Sequence, residues 1–143
     1  LSDLYDTDIV VWSEEQSALL RRMAAGERLN DAQPDWPNII DEIESVGSEQ
    51  VRAVESLLFQ ALVHDLKAAA RPGAAEVPHW RAESRGFLAQ ASLRFAPSMR
   101  QRIDVAKLYA KALRVLPETI GGQAPLPVPD ACPVTLEELL RDA

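Results

Sequence analysis

Cysteine is almost missing from this chain of 143 residues: Cys132 stands alone. That excludes a disulfide framework and any all-cysteine metal cluster. Histidine is nearly as scarce, with only His64 and His79, too few for the three-histidine metal sites of many hydrolases. Aromatic residues make up 6% of the chain, so aliphatic side chains and alanine must fill the interior. Glycines number six against ten prolines, and β-branched residues are few. An all-β fold with many glycine-rich turns is therefore not expected. No apolar run approaches the roughly 18 residues of a membrane span. No signal-peptide pattern opens the chain, so the expected location is the cytoplasm, without membrane attachment.

What is present is ordinary globular material, 47% hydrophobic and 26% charged. The length fits a single helical domain over residues 1–143. The formal net charge is −7, but charge is segregated along the chain. Residues 1–63 carry 4 basic and 13 acidic side chains, residues 64–115 carry 10 and 4, and residues 116–143 carry 1 and 5. The expected cause is that acidic and basic segments face each other within the fold. The competing reading is a nucleic-acid surface along residues 81–114. An overall acidic chain repels phosphate at long range, and no aromatic-basic motif of an RNA reader is present.

Hydrophobic periodicity predicts helices throughout. A first helix runs from about Thr7 to Ala25, capped by Asp6 or Thr7 and ended by Gly26. The second starts near Asp35-Trp36-Pro37 and runs to about Ala70. On its wheel Ile40, Ile43, Gly47, Val51, Val54, Leu58, Ala61 and Leu62 share one face. Gly47 lies within that face and is expected to let a neighbouring helix approach rather than to break the helix. A third helix spans about His79 to Phe95. A fourth is predicted to start at the Ser98–Gln101 capping box, with Ile103, Ala106, Ala110 and Leu113 on one face and Leu108, Tyr109 and Ala112 beside it. Thr135-Leu-Glu-Glu138 is a second capping box and opens a short final helix. The expected fold is all-α: four main helices in an antiparallel bundle, the second one long.

Several blocks are familiar. Tyr5-Asp6-Thr7-Asp8 is followed by Trp12 and by Gln16 to Leu20. Asn38 to Gly47 is an acidic-apolar helix ending in Glu-Ser-Val-Gly. His64-Asp-Leu-Lys67, Trp80-Arg81, Pro97-Ser98, Tyr109 and Cys132-Pro133 follow in order. Together they resemble domain-of-unknown-function family 29 over nearly the whole chain. The resemblance implies an all-helical bacterial protein and no particular activity. Two positions depart from it: Asp65 stands where the family has an apolar residue, and Ala68 where it has an aromatic one.

The cluster that could carry chemistry is Glu42, Glu44, Glu55, His64 and Asp65. On the wheel Glu44 falls inside the apolar face, Glu55 at its edge and Asp65 near its centre. Carboxylates buried there would need cations or strong hydrogen bonds. One reading is a carboxylate-metal enzyme with its site in the bundle. Paired Glu-x-x-His motifs are missing, however, since Glu76 to His79 encloses Pro78. The preferred reading is ion pairing: Asp65 with Arg81 or Arg85, Glu55 with Arg94, and Glu44 with a cation of the fourth helix, such as Lys107 or Lys111, or of the N-terminal segment. Cys132 is read as a small anchor for the tail, and no cofactor is expected. Trp36, at a loop-to-helix junction, and Trp80 are the candidate interface residues. The resulting expectation is a non-catalytic module that binds another protein or a second copy of itself.

Overall fold

In the computed structural model, which describes residues 4–141, every regular element is helical. The elements are α1 (Leu4–Thr7), α2 (Ile9–Ala24), α3 (Trp36–Ala70) and α4 (Val77–Arg94). A 3-10 helix (Pro97–Gln101), α5 (Val105–Val115) and α6 (Leu136–Arg141) follow. The chain divides into two compact units, Leu1–Ser48 and Glu49–Ala143.

In the first unit the helix breaks at Asp8, whose carboxylate accepts from the Val11 N–H at 3.1 Å. Asp8, rather than Asp6 or Thr7, is thus the cap of α2. A carboxylate just ahead of the helix satisfies an orphan N–H at its start. Gly26 ends α2 at φ +84°. Its N–H donates to Met23 O and the next N–H, of Glu27, to Arg22 O. That paired geometry closes the last turn and needs a left-handed residue. Asp35 begins α3: its carboxylate takes both the backbone and side-chain N–H of Asn38. Trp12 and Ile39 are buried. The Trp12 indole donates to Asp35 at 3.0 Å, the Asp35 N–H to Gln16 at 2.7 Å, and the Tyr5 hydroxyl to Glu42 at 2.6 Å. The rings of Tyr5 and Trp12 meet edge to face at 4.8 Å.

The second unit holds the main core. Val54, Leu58, Ala61, Leu62 and Leu66 of α3 pack with Leu88 and Ala91 of α4, Leu108 and Ala112 of α5, and Leu136 and Leu139 of α6. Contacts between α3 and α4 pair residue 64 with 83 and 65 with 81, so the two helices run antiparallel as expected. Three local expectations are corrected. Ser98 does not open a helix: the segment turns once as 3-10, burying Met99, and Asp104 caps α5 by accepting from Lys107 N–H at 3.2 Å. The inward face of α5 is consequently Leu108, Tyr109 and Ala112, while Ala106 and Ala110 are exposed. The helix α3 runs unbroken through Gly47, but no neighbour approaches that glycine.

Between α5 and α6 the chain is irregular, as its glycines and prolines predict. Gly121 and Gly122 both have positive φ, 62° and 79°, and form a two-residue turn closed by Ile120 and Gln123. Leu126 N–H donates to Ala70 O at the end of α3, and the Tyr109 hydroxyl to Pro129 O. Cys132 packs against the core edge, which agrees with an anchoring part. The Thr135–Glu138 capping box forms in both directions, at 3.2 and 3.1 Å.

Leu58 and Ile43 share a wheel face, yet Leu58 is 0% exposed and Ile43 is 68% exposed. Leu58→Ala is expected to cost about 2–5 kcal/mol. Ile43→Ala is expected to stay within about 0.5 kcal/mol. Urea denaturation of both variants measures the difference.

Candidate functional site

The densest polar cluster lies in the second unit, between α3 and α4. His64 sits on α3 with its side chain 17% exposed. Its Nδ1 lies 2.7 Å from Gln60 O, one turn back on the same helix. Its Nε2 lies 2.7 Å from Glu83 Oε2 on α4. A carbonyl oxygen therefore faces one ring nitrogen and a carboxylate oxygen the other. The other Glu83 oxygen faces His79 Nε2 at 2.8 Å, one turn away on α4. The His64 ring also packs on Phe87 at 5.4 Å.

Asp65, the next residue, faces Ser84 and Arg81. Ser84 is a buried polar residue, 3% exposed, and its hydroxyl bonds the carboxylate. The Arg81 guanidinium stands 3.7 Å away. Burial pushes the Asp65 carboxyl above the usual range, against the opposing pull of Ser84 and Arg81. Beside this pair lies a cavity of about 230 Å³ with mainly apolar walls, among them Leu62, Leu66, Tyr109 and Val134.

The five acidic and histidine residues expected to cluster do not form one group. His64 and Asp65 are neighbours in the arrangement just described. Glu55 is half-buried beside Arg52 and Lys111 at a separate surface depression. Glu42 and Glu44 belong to the first unit, where Glu42 accepts from Tyr5 and Glu44 is exposed. Of the three expected ion pairs, Asp65 with Arg81 forms. Glu55 and Arg94 do not pair, because Leu88 and Ala91 of α4 and Phe95 just beyond it pack inward and Arg94 is exposed. Glu44 pairs with neither Lys107 nor Lys111: it lies on a part of α3 open to solvent, where water serves it as well.

Sequence reading missed Glu83; it put Ser84 on the inner stripe of its helix but did not foresee the bond to Asp65. The signal for Glu83 was available, since antiparallel pairing about a turn near residue 74 sets it opposite His64. The separations of 2.7–2.8 Å around Glu83 are hydrogen-bond lengths. Ligands sharing a tetrahedral zinc would stand roughly 3.3 Å apart. Among the described residues no group of three or more His, Cys, Asp or Glu side chains is arranged to hold a metal ion.

A second feature is confined to the first unit. Trp36, Ile40, Ile43 and Val46 of α3 are 42%, 51%, 68% and 59% exposed. Their spacing puts Trp36, Ile40, Ile43 and Gly47 on one side of the helix, an unpartnered apolar strip about three turns long. In the first unit α3 buries Ile39 instead and half-buries Glu42. Trp80, the other candidate anchor, is half-buried on α4 in the second unit.

The pair His64–Glu83 is expected to show a coupling of about 0.5–3 kcal/mol in a double-mutant cycle. His79, 70% exposed, should couple to Glu83 by no more than about 0.5 kcal/mol. Asp65 gives a pH test. Its raised folded pKa means that its favourable contribution is present in acid and lost as pH rises through that value. Asp65→Asn should therefore gain stability relative to the parent between pH 3 and pH 7. Thermal melts at the two pH values give the difference.

Comparison with known proteins gives one family. The model described as "Domain of unknown function DUF29" matches residues 4–143. A crystal structure at 1.45 Å resolution of an alpha-helical protein of unknown function from Rhodospirillum rubrum matches with a TM-score of 0.63. The match has 24% identity and covers 98% of this chain and 90% of that one; it bears on the fold. No curated protein matches the chain.

Proposed function

This chain belongs to the DUF29 family, and within it we propose a non-catalytic module that binds another protein through the bare face of α3. One observation carries the reading. A single apolar stripe runs along α3, and its members Val54, Leu58 and Ala61 are 0% exposed, whereas Trp36, Ile40 and Ile43 are 42–68% exposed. Burying a large aliphatic side chain is favourable by roughly 1.5–3 kcal/mol. Two such residues, Ile40 and Ile43, with Trp36 at the end form a surface that gains from being covered. A tryptophan is also the side chain most often found as the anchor of an interface. The strip has the spacing by which one amphipathic helix packs on another.

The test is an Ile40→Asp/Ile43→Asp variant used as bait beside the parent protein in the native cell. Circular dichroism and melting should match the parent, because both side chains are exposed. A protein retained by the parent should be lost from the variant, as read by mass spectrometry of the eluates. Identical eluates would overturn the proposal.

A further inference from the structure

We infer that the occupant of this strip is a cationic amphipathic helix from a different protein, a conclusion that rests on the docking reading above. The first argument is the charge around the strip. Between Trp36 and Ser48 the chain has Asp41, Glu42 and Glu44 and no lysine or arginine. Asp41 and Glu44 are exposed. The first unit, residues 1–48, carries 11 acidic and 3 basic side chains in all, and one of those three, Arg22, is engaged by Glu27 and Asp31. A partner bearing lysine or arginine beside its apolar stripe meets opposite charge, and an acidic or phosphate-bearing partner meets its own sign.

The second argument is how α3 is covered where it is covered. Within the second unit its stripe packs against α4 and α5. These carry Arg81, Arg85 and Arg94, and Lys107, Lys111 and Arg114, with Glu83 the one acidic residue in either helix. Where α3 is covered its own charge is nearly balanced, Glu49, Glu55 and Asp65 against Arg52 and Lys67, and even there the covering helices are basic. The bare strip carries Asp41, Glu42 and Glu44 with no cation of its own, so it asks for a basic cover more strongly.

A second copy of the chain fits less well. Two strips packed face to face would set Asp41 and Glu44 of one copy near the same acidic residues of the other. The chain's own basic helices cannot serve either, because Leu88, Ala91, Leu108 and Ala112 are already committed to the core. The strip from Trp36 to Val46 is roughly 15 Å long. A helix of three to four turns matches it.

The experiment uses the full chain and three labelled peptides: an amphipathic helix with a leucine stripe and lysine flanks, the same stripe with glutamate flanks, and a scrambled lysine peptide. Fluorescence anisotropy at low and high salt reads binding. The lysine-flanked helix should bind at least tenfold more tightly than the other two, and should weaken with added salt. Ile40→Asp/Ile43→Asp should abolish that binding, and Asp41→Lys/Glu44→Lys should weaken it at least tenfold. Equal binding of the lysine- and glutamate-flanked helices would overturn the cationic assignment while leaving the docking strip in place. So would dimerisation in the ultracentrifuge that Ile43→Asp abolishes. No binding of any peptide, with no protein lost from the Ile40→Asp/Ile43→Asp eluate, would overturn the docking reading as well.

Discussion

One length mismatch governs the surface of this protein. The apolar stripe of α3 runs through 35 residues, about 52 Å of helix, while α4 has 18 residues and spans about half of that. The turn between them is short and the register is fixed by the contacts 64 with 83 and 65 with 81. Counted back from that register, the last residue of α4, Arg94, lies level with about residue 53 of α3. Val54 is accordingly the first fully buried stripe residue of the second unit.

The beginning of α3 is held by different means. It is tied to α1 and α2 mostly through polar bonds centred on Asp35, with Trp12, Gln16 and Asn38 as partners, and through Glu42 with Tyr5. The hydrogen bonds from Asn38 and Trp12 hold the Asp35 carboxyl below its usual range, and the bond to Glu42 pushes the Tyr5 hydroxyl up to about 12. The bonds to Asp35 favour its charged form, so they weaken as pH falls through the carboxylate range. The bond from Tyr5 favours the protonated phenol and is lost as pH rises past about 10 toward 12. This attachment uses the sides of α3 that carry Asp35, Ile39 and Glu42. It leaves Trp36, Ile40 and Ile43 uncovered.

The polar pairs inside the second unit belong to a different class of interaction. His64 and Glu83 join α3 to α4 with a short contact of 2.7 Å between ring nitrogen and carboxylate oxygen. Asp65 is balanced less well, because burial works against its charge and Arg81 stands at the outer limit of an ion pair. Both groups border apolar packing, Phe87 in one case and the cavity beside Leu62 and Tyr109 in the other. Their chemistry orders the α3–α4 contact, and all four partners lie within residues 64–115, so these pairs do not join the acidic segment of the chain to the basic one.

By itself the sequence determined the helices. Their spans follow from local rules: the 3.6-residue period, Gly26 at a left-handed end, Pro37 and Pro78 in first turns, and the Thr135–Glu138 box. Each of these is decided by residues within about one turn of each other, so each was legible. The antiparallel register of α3 and α4 was legible too, because a short turn leaves little freedom. Tertiary structure decided what covers each face. A helical wheel treats Ile43 and Leu58 alike, since periodicity records which side of a helix is apolar and not what lies against it. Whether Glu44 meets a cation and whether Gly47 meets a helix both depend on how far neighbouring elements reach. Those are distances between parts of the chain remote in sequence, and no local pattern contains them.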